Sequence, residues 1–300
     1  MGAQLRIYRS KIRSAQTTKK ITRAMELISA SRIAKALARV NEAGPYTQEI
    51  SKAVALVAHR SNVEHFLTTE PKEIKRALIV VYTSDRGLAG AFNSQVIRQA
   101  LQLETLLKEQ GKEVVWYLVG RKAVGYFAFR RREYLESWTG ETDQPSFELA
   151  KEISDKLIEL FTRDESEGGV NEIHGVFNQF VSSITQTPRV RRLLPLQVEG
   201  KLEDDSLPDV DGVAPLYEFE PDAETVLDRL LPAYVESRVF YALLQSAASK
   251  HAATQKAMKS ASDNADKLIT NYTRLANNAR QAEITQQISE IVGGADAPAS

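Results

Sequence analysis

The sequence predicts an α/β protein: a long antiparallel coiled coil of N- and C-terminal helices, with an α/β domain inserted between them. Three observations carry that expectation. Residues 3–43 and 233–292 hold neither Gly nor Pro, over 41 and 60 residues, and these two residue types are the main punctuators of helices. Within the second run, Met258, Ala261, Ala265, Leu268, Tyr272, Leu275, Ala279 and Ala282 step alternately by three and four, a coiled-coil period. Between the runs, apolar β-rich segments alternate with helical ones.

At about 1.5 Å rise per residue the two runs make helices of roughly 60 and 90 Å. A globular domain of this size is about 40–50 Å across, so the C-terminal helix is expected to project. The N-terminal helix has a weaker seam: Leu5, Tyr8, Ile12 and Ala15, then Ile21, Met25 and Ile28, then Ala30, Ile33, Leu37 and Val40. Its phase shifts between groups, so the seam drifts around the helix. Gly44 and Pro45 end the uninterrupted run, and a helical pattern resumes to about Arg60.

Residues 77–82 and 114–119 are short apolar strands, the second stopped by Gly120, and residues 173–181 alternate as a third. Helical stretches cover 93–110, closed by Gly111, and 147–161. Strand, helix, strand, helix, strand implies a small parallel, Rossmann-like sheet with covering helices. Residues 163–171 are a polar, Gly-containing loop, and 199–215 an acidic one broken by Gly200, Pro208, Gly212 and Pro215. Asp222 is placed to cap the C-terminal helix, Pro232 to kink or restart it, and residues after Gly293 form a disordered tail. The expected division is a coiled-coil helix at 1–60, an α/β domain at 75–215, a second coiled-coil helix at 220–292 and a tail at 293–300.

Net charge over the 300 residues is zero, but its distribution is uneven. Residues 1–43 carry ten Lys/Arg against two acids, and residues 140–232 carry 21 acids against eight Lys/Arg. A basic rod thus precedes an acidic middle. With no cysteine, disulfides, thiolate metal sites and cysteine nucleophiles are excluded. No apolar run resembles a signal peptide, and none of about 18 residues exists to span a membrane. Met1-Gly2 invites a myristoylation reading, but Arg6 stands where that motif wants Ser or Thr.

Few residues suggest bond-making chemistry. Ser84-Asp85-Arg86-Gly87-Leu88-Ala89-Gly90 follows a strand and precedes a helix, where phosphate-cradling loops sit. It lacks the glycine spacing and the Lys-Ser/Thr pair of such loops, so a structural turn at Asp85, Arg86, Gly87 and Gly90 is the better reading. His59, His65, His174 and His251 show no metal-ligand spacing and are expected to be exposed or incidental. No Gly-x-Ser-x-Gly is present. Catalytic, cofactor and metal sites are all expected to be absent. Ala and Ser recur from Ser246 to Ala265; they keep a helix thin but bury little area, so the coiled coil is expected to need a sleeve.

Four stretches in order resemble the F-type ATP synthase gamma subunit family of bacteria. They are Lys20-Ile21-Thr22-Arg23-Ala24-Met25, residues 84–93, residues 258–265 from Met258 to Ala265, and residues 284–295 from Ile284 to Ala295. The resemblance departs at Gln287, where the family usually has Glu, and at Thr254, where many relatives carry Arg; individual ring contacts are altered there. The chain also lacks the cysteine-bearing segment of chloroplast relatives, and no transit peptide is visible. The 163–171 loop lies where some actinobacterial relatives carry an insertion.

The resemblance implies a central rotor shaft that couples rotation of a c-subunit ring to ATP synthesis or hydrolysis in a ring of three alpha and three beta subunits. It implies contact with an epsilon subunit and a peripheral place on the cytoplasmic face of the bacterial membrane. Ring contacts are expected at Lys20, Ile21, Thr22, Met25, Met258, Lys259, Asp263, Asn264, Gln281, Ile284, Thr285, Gln287 and Glu290. Two other classes compete: a nucleotide-binding α/β protein with a coiled-coil arm, and a nucleic-acid-binding coiled-coil scaffold drawing on the basic N-terminal helix.

Overall fold

A computed structural model describes residues 2–61, 65–69, 71, 73–196 and 220–295. The expected acidic loop at 199–215 and residues 296–300 of the expected tail lie outside the described residues; residues 293–295 continue the last helix. The elements are α1 (Gly2–Ser61), β1 (Arg76–Tyr82), α2 (Phe92–Glu109), β2 (Glu113–Val119), α3 (Arg121–Phe129), β3 (Glu136–Trp138), α4 (Phe147–Thr162), β4 (Glu172–Phe180), β5 (Gln186–Leu194) and α5 (Ala223–Ala295).

The chain separates into two compact units. One comprises residues 1–30 and 254–300, the other residues 31–253. The sequence expectation put the helix boundaries at 60 and 220; the structure assigns the inner parts of both long helices to the α/β unit. The reason is burial. Val54 and Val57 of α1 and Leu227, Leu231, Val235 and Val239 of α5 are core residues of that unit.

Its sheet has the order β3-β2-β1-β4-β5. The first four strands are parallel, and β5 runs antiparallel to β4. β1 is central, and residues 77–82 are buried on both faces, which suits its unbroken apolar run. Leu78, Val80 and Tyr82 point to one face, covered by α4 and the inner parts of α1 and α5. Ala77, Ile79 and Val81 point to the other, covered by Val96, Ala100 and Leu103 of α2 and Ala123 and Phe127 of α3. The result is a three-layer α/β/α unit.

The structure departs from expectation at several elements. The sheet is mixed, because β5 adds an antiparallel edge. Pro188 sits in that strand, which an edge tolerates because its missing N–H breaks no central ladder. Helix α3 and strand β3 were also not anticipated. Both Pro45 and Pro232 lie inside continuous helices. An interior proline costs about 3 kcal/mol, and here buried neighbours on both sides oppose a break: Ala36 and Ile50 around Pro45, Leu231 and Val235 around Pro232. Asp222 does cap α5, its Oδ1 accepting from the Thr225 N–H at 2.8 Å.

The 163–171 segment is an ordered turn with a 3-10 turn at Glu165–Glu167. Asn171 Oδ1 accepts from the N–H groups of Lys75 and Arg76 at 3.0 and 3.2 Å, tying the turn to the start of β1. Gly169 is obligatory there, since a Cβ would lie 1.9 Å from the Arg163 carbonyl oxygen.

The histidines were expected to be exposed or incidental; the described side chains, His65, His174 and His251, are buried. His65 is held between Asp228 Oδ1, 3.0 Å from Nε2, and the Leu67 N–H, 3.1 Å from Nδ1. His251 Nε2 lies 3.2 Å from the Asp143 carbonyl oxygen, and its pKa is lowered by burial and by neighbouring Lys250. His174 belongs to a charged cluster at the sheet. There Glu172 Oε2 accepts from Lys112 Nζ at 2.6 Å, and His174 Nε2 lies 3.1 Å from the other carboxylate oxygen. Burial opposes ionisation of Glu172, but these partners outweigh it and bring its pKa to about 2.

A folded-state pKa below the unfolded value of 4.5 adds stability that is complete above that value and lost as pH falls toward 2. We expect Glu172→Gln to lower the stability of the α/β unit at pH 7 by about 2–4 kcal/mol, through the unpaired Lys112. It should also flatten the pH dependence between 4.5 and 2. Urea unfolding followed by circular dichroism across that range checks both.

Candidate functional site

Two regions merit the name of site: the paired terminal helices and the turn after β1. In the two-helix unit, Tyr8 stacks on Tyr272 with ring centroids 6.4 Å apart, and Lys11 Nζ lies 5.2 Å from the same ring centroid. Further along α1, Lys19 Nζ meets Asp266 Oδ1 at 2.6 Å. As α1 ascends, its partners on α5 descend, so the helices are antiparallel.

The buried line differs from the apolar pattern. On α1 it follows Ala15, Thr22, Glu26 and Ser29; the groups expected at Ile21 and Ile28 face outward, 55% and 51% exposed. Helix geometry decides this. Once Tyr8, Ile12 and Ala15 are on the seam, steps of three and four lead to Lys19, Thr22, Glu26 and Ser29 whatever their polarity. Within this unit the buried positions of α5 are Thr254, Met258, Ser262, Ala265 and Ala276. The expected line shared Met258 and Ala265 but placed Leu268 inside, where the structure leaves it 47% exposed. Apart from Met258, the fully buried seam positions are therefore small or polar, while Ile21, Leu27, Ile28 and Leu268 lie outside. Thr22 Oγ1 satisfies itself on the Thr18 carbonyl at 3.0 Å, and Glu26 pairs with Arg23 at 2.7 Å.

The expected contact residues divide accordingly. Lys20, Ile21, Lys259, Asp263, Asn264, Gln281, Ile284, Thr285, Gln287 and Glu290 are exposed. Met25 is half-buried, and Thr22 and Met258 are buried. Thr254, the second departure from the family pattern, is also buried. Leu27, Ile288 and Ile291, outside the expected set, are exposed at 61%, 56% and 72%. A search for large apolar residues off the seam line finds them in the sequence.

In the turn after β1, Asp85 is the organising group. Its carboxylate accepts from the Arg121 N–H at 3.1 Å and from the Thr142 N–H and Oγ1 at 3.1 and 2.8 Å. Burial would raise its pKa, but bonds from Thr142, Gly140 and Arg121 hold it below the usual range. Arg121 opens α3, so an internal carboxylate occupies the helix N-terminus where a phosphate would otherwise bind. The Arg86 carbonyl receives Ser84 Oγ at 2.7 Å. Gly90 has φ of 54° and Leu88 one of 63°, and Gly87 lies against Lys122. Among the described residues no group of three His, Cys, Asp or Glu is arranged for a metal.

We expect Asp85→Ala to destabilise the α/β unit by about 2–4 kcal/mol by stranding these donors, measured by urea denaturation. Titration of the wild-type chain with ATP, ADP or NAD should give no heat of binding at the 84–90 turn; saturable heat that Arg86→Ala removes would restore the nucleotide-binding reading.

Comparison with known proteins follows this geometry closely. The family model described as ATP synthase matches residues 4–297. The ATP synthase gamma chain of Leifsonia xyli is 66% identical over 300 residues, covering 100% of this chain and 99% of the relative. That of Streptomyces avermitilis is 54% identical over 297 residues, covering 99% and 97%. Among solved structures, a chain of the Euglena gracilis mitochondrial ATP synthase in its OSCP/F1/c-ring form shares the fold at a TM-score of 0.68. It is 17% identical and covers 99% of this chain and 95% of its own. A chain of the Tetrahymena thermophila mitochondrial ATP synthase central stalk and c-ring shares it at 0.58, with 23% identity, covering 81% of this chain and 99% of its own. The antiparallel terminal helices, the inserted α/β unit and the whole-length match agree: this chain belongs to the ATP synthase gamma chain family.

Proposed function

We propose that this chain is the central rotor shaft of a proton-translocating F-type ATP synthase. It couples rotation of the c-subunit ring to ATP synthesis or hydrolysis in the ring of three alpha and three beta subunits. The gamma chain is a non-catalytic subunit of that enzyme. The observation that carries the reading is the inverted two-helix unit: Thr22, Glu26 and Ser29 inside, Ile21, Leu27 and Ile28 outside. Exposed apolar groups gathered on the outside of a thin helix pair mark a surface that a partner covers, and a surrounding ring is such a cover.

Torque transmission is then a coupling free energy carried by a rigid element whose contacts differ from one beta subunit to the next. The exposed residues Lys20, Ile21, Lys259, Asp263, Asn264, Gln281, Ile284, Thr285, Gln287 and Glu290 meet the ring. Thr22 and Met258 act from within, keeping the helices close, and Met25 does both. Helical arms at 1–60 and 220–292 carry the torque, and the domain at 75–215 meets the epsilon subunit and the c ring. The basic residues Arg6, Arg9 and Lys11 face acidic groups of the ring. The complex lies peripherally on the cytoplasmic face of the bacterial membrane; no helix among the described residues is long and apolar enough to cross it.

The first test is affinity capture of the tagged chain from solubilised membranes with native mass spectrometry. Three alpha and three beta subunits per copy, with ATPase activity, is the expected result; a lone chain or an unrelated partner refutes it. Next, Ile21→Asp combined with Ile28→Asp should leave the stability of the isolated chain within about 0.5 kcal/mol but impair assembly with the ring. Charge reversal at Arg6, Arg9 and Lys11 should lower the coupling of ATP hydrolysis to proton pumping in vesicles. Unchanged coupling removes those three residues from the mechanism.

A further inference from the structure

A cavity of about 410 Å³ opens in the α/β unit between the β4–β5 pair and α5. On the helix side it is lined by Tyr234, Arg238 and Tyr241, which share one helical face. On the sheet side Gly175 pairs with Arg191, and directly paired residues point to the same face. Gly175 leaves this wall open: a Cβ there would stand 3.3 Å from Leu193 and 3.6 Å from Tyr82.

The cavity's chemistry is specific. Tyr82 lines it, is 1% exposed, and its buried hydroxyl has no hydrogen-bond partner among the described residues. Burial raises its pKa, so the phenol stays protonated and offers a donor. At the mouth stand two exposed arginines, Arg191 and Arg238. Arg238 donates to the Tyr234 hydroxyl at 2.9 and 2.7 Å and lies 4.9 Å from that ring's centroid. Its acceptor is a hydroxyl, and Arg238 has no ion-pair partner among the described residues. No acidic residue lines the cavity among the described residues. Between floor and mouth the walls are aromatic, with Phe177 edge-on to both Tyr82 and Tyr241.

We propose that this cavity binds an amphipathic organic anion. Its apolar body packs against Phe177 and Tyr241, and its carboxylate or phosphate is held by Arg191 and Arg238 through charge-assisted hydrogen bonds. An acceptor atom at its inner end takes the Tyr82 hydroxyl. The volume suits a small organic ligand. None of the residues assigned to ring contact lines the site, and the proposal does not depend on them.

The test is calorimetric titration of the full chain with two probes in separate experiments, phenyl phosphate and decanoate. One saturable site per chain is expected with at least one of them. Binding of phenyl phosphate alone identifies the ligand as a water-soluble phosphate ester, and binding of decanoate alone as a lipid-derived acid. The combined Arg191→Ala and Arg238→Ala variant alters only exposed side chains, and should weaken binding by about tenfold or more. Tyr82→Phe should weaken it severalfold without lowering the melting temperature, because the hydroxyl it removes has no partner among the described residues. No saturable heat with either probe, or undiminished affinity in the double arginine variant, overturns the proposal.

Discussion

The apolar layer between the sheet and α4 holds the α/β unit together, and it is not self-sufficient. Leu78, Val80 and Tyr82 of β1 meet Ile153 and Leu157 of α4, but the layer is completed by Val54, Val57, Leu227, Leu231 and Val235 from the inner parts of the terminal helices. Burying each such side chain contributes about 1.5–3 kcal/mol. The chain's two long helices are therefore anchored where they enter and leave the sheet's cover. Two costs are absorbed at those anchors, the interior prolines Pro45 and Pro232, each flanked by buried residues that have no alternative place to pack.

Away from the anchors the balance of forces changes. Apart from Glu26 and Met258, the seam of the two-helix unit is made of small side chains such as Ala15, Thr22, Ser29, Ser262 and Ala265, which bring backbones close but remove little apolar area from water. Thr22 is satisfied on the preceding turn and Glu26 by Arg23. Specific contacts such as Tyr8 on Tyr272 and Lys19 with Asp266 set the register. An exposed ion pair of that kind is worth under about 1 kcal/mol, so register and alignment are better specified than adhesion. That is a sensible division for an element whose large apolar groups face outward.

Much of this was legible in the sequence. Gly/Pro-free runs revealed both long helices, and the buried strand β1 announced itself by six consecutive apolar residues. Other elements were hidden for physical reasons. β5 carries Pro188 and three arginines, and its apolar residues are Val190, Leu193 and Leu194, so no alternation marks it. β3 is three residues long and owes its existence to β2. The seam was misplaced because hydrophobicity indicates a face only where burial selects it, and at Ile21, Ile28 and Leu268 the chain's own helices do not. The turn at Asp85 was recognisable as a turn, but the carboxylate's hold on α3 required Thr142, 57 residues away. The tyrosine-floored cavity depends on Tyr82, Gly175, Arg191 and Arg238, four positions with no sequence pattern in common.

The two outer strands have a consequence for the chain's life before assembly. An open sheet offers unpaired backbone donors and acceptors along its rims, and identical copies tend to join there. Here one rim is β3, too short to template a partner, and the other is β5, where Pro188 removes a donor and exposed Arg189 and Arg191 repel a second copy. Newly made chains can therefore accumulate side by side without zipping their sheets into a common ribbon, although each carries a bare, oily helix pair in search of its cover.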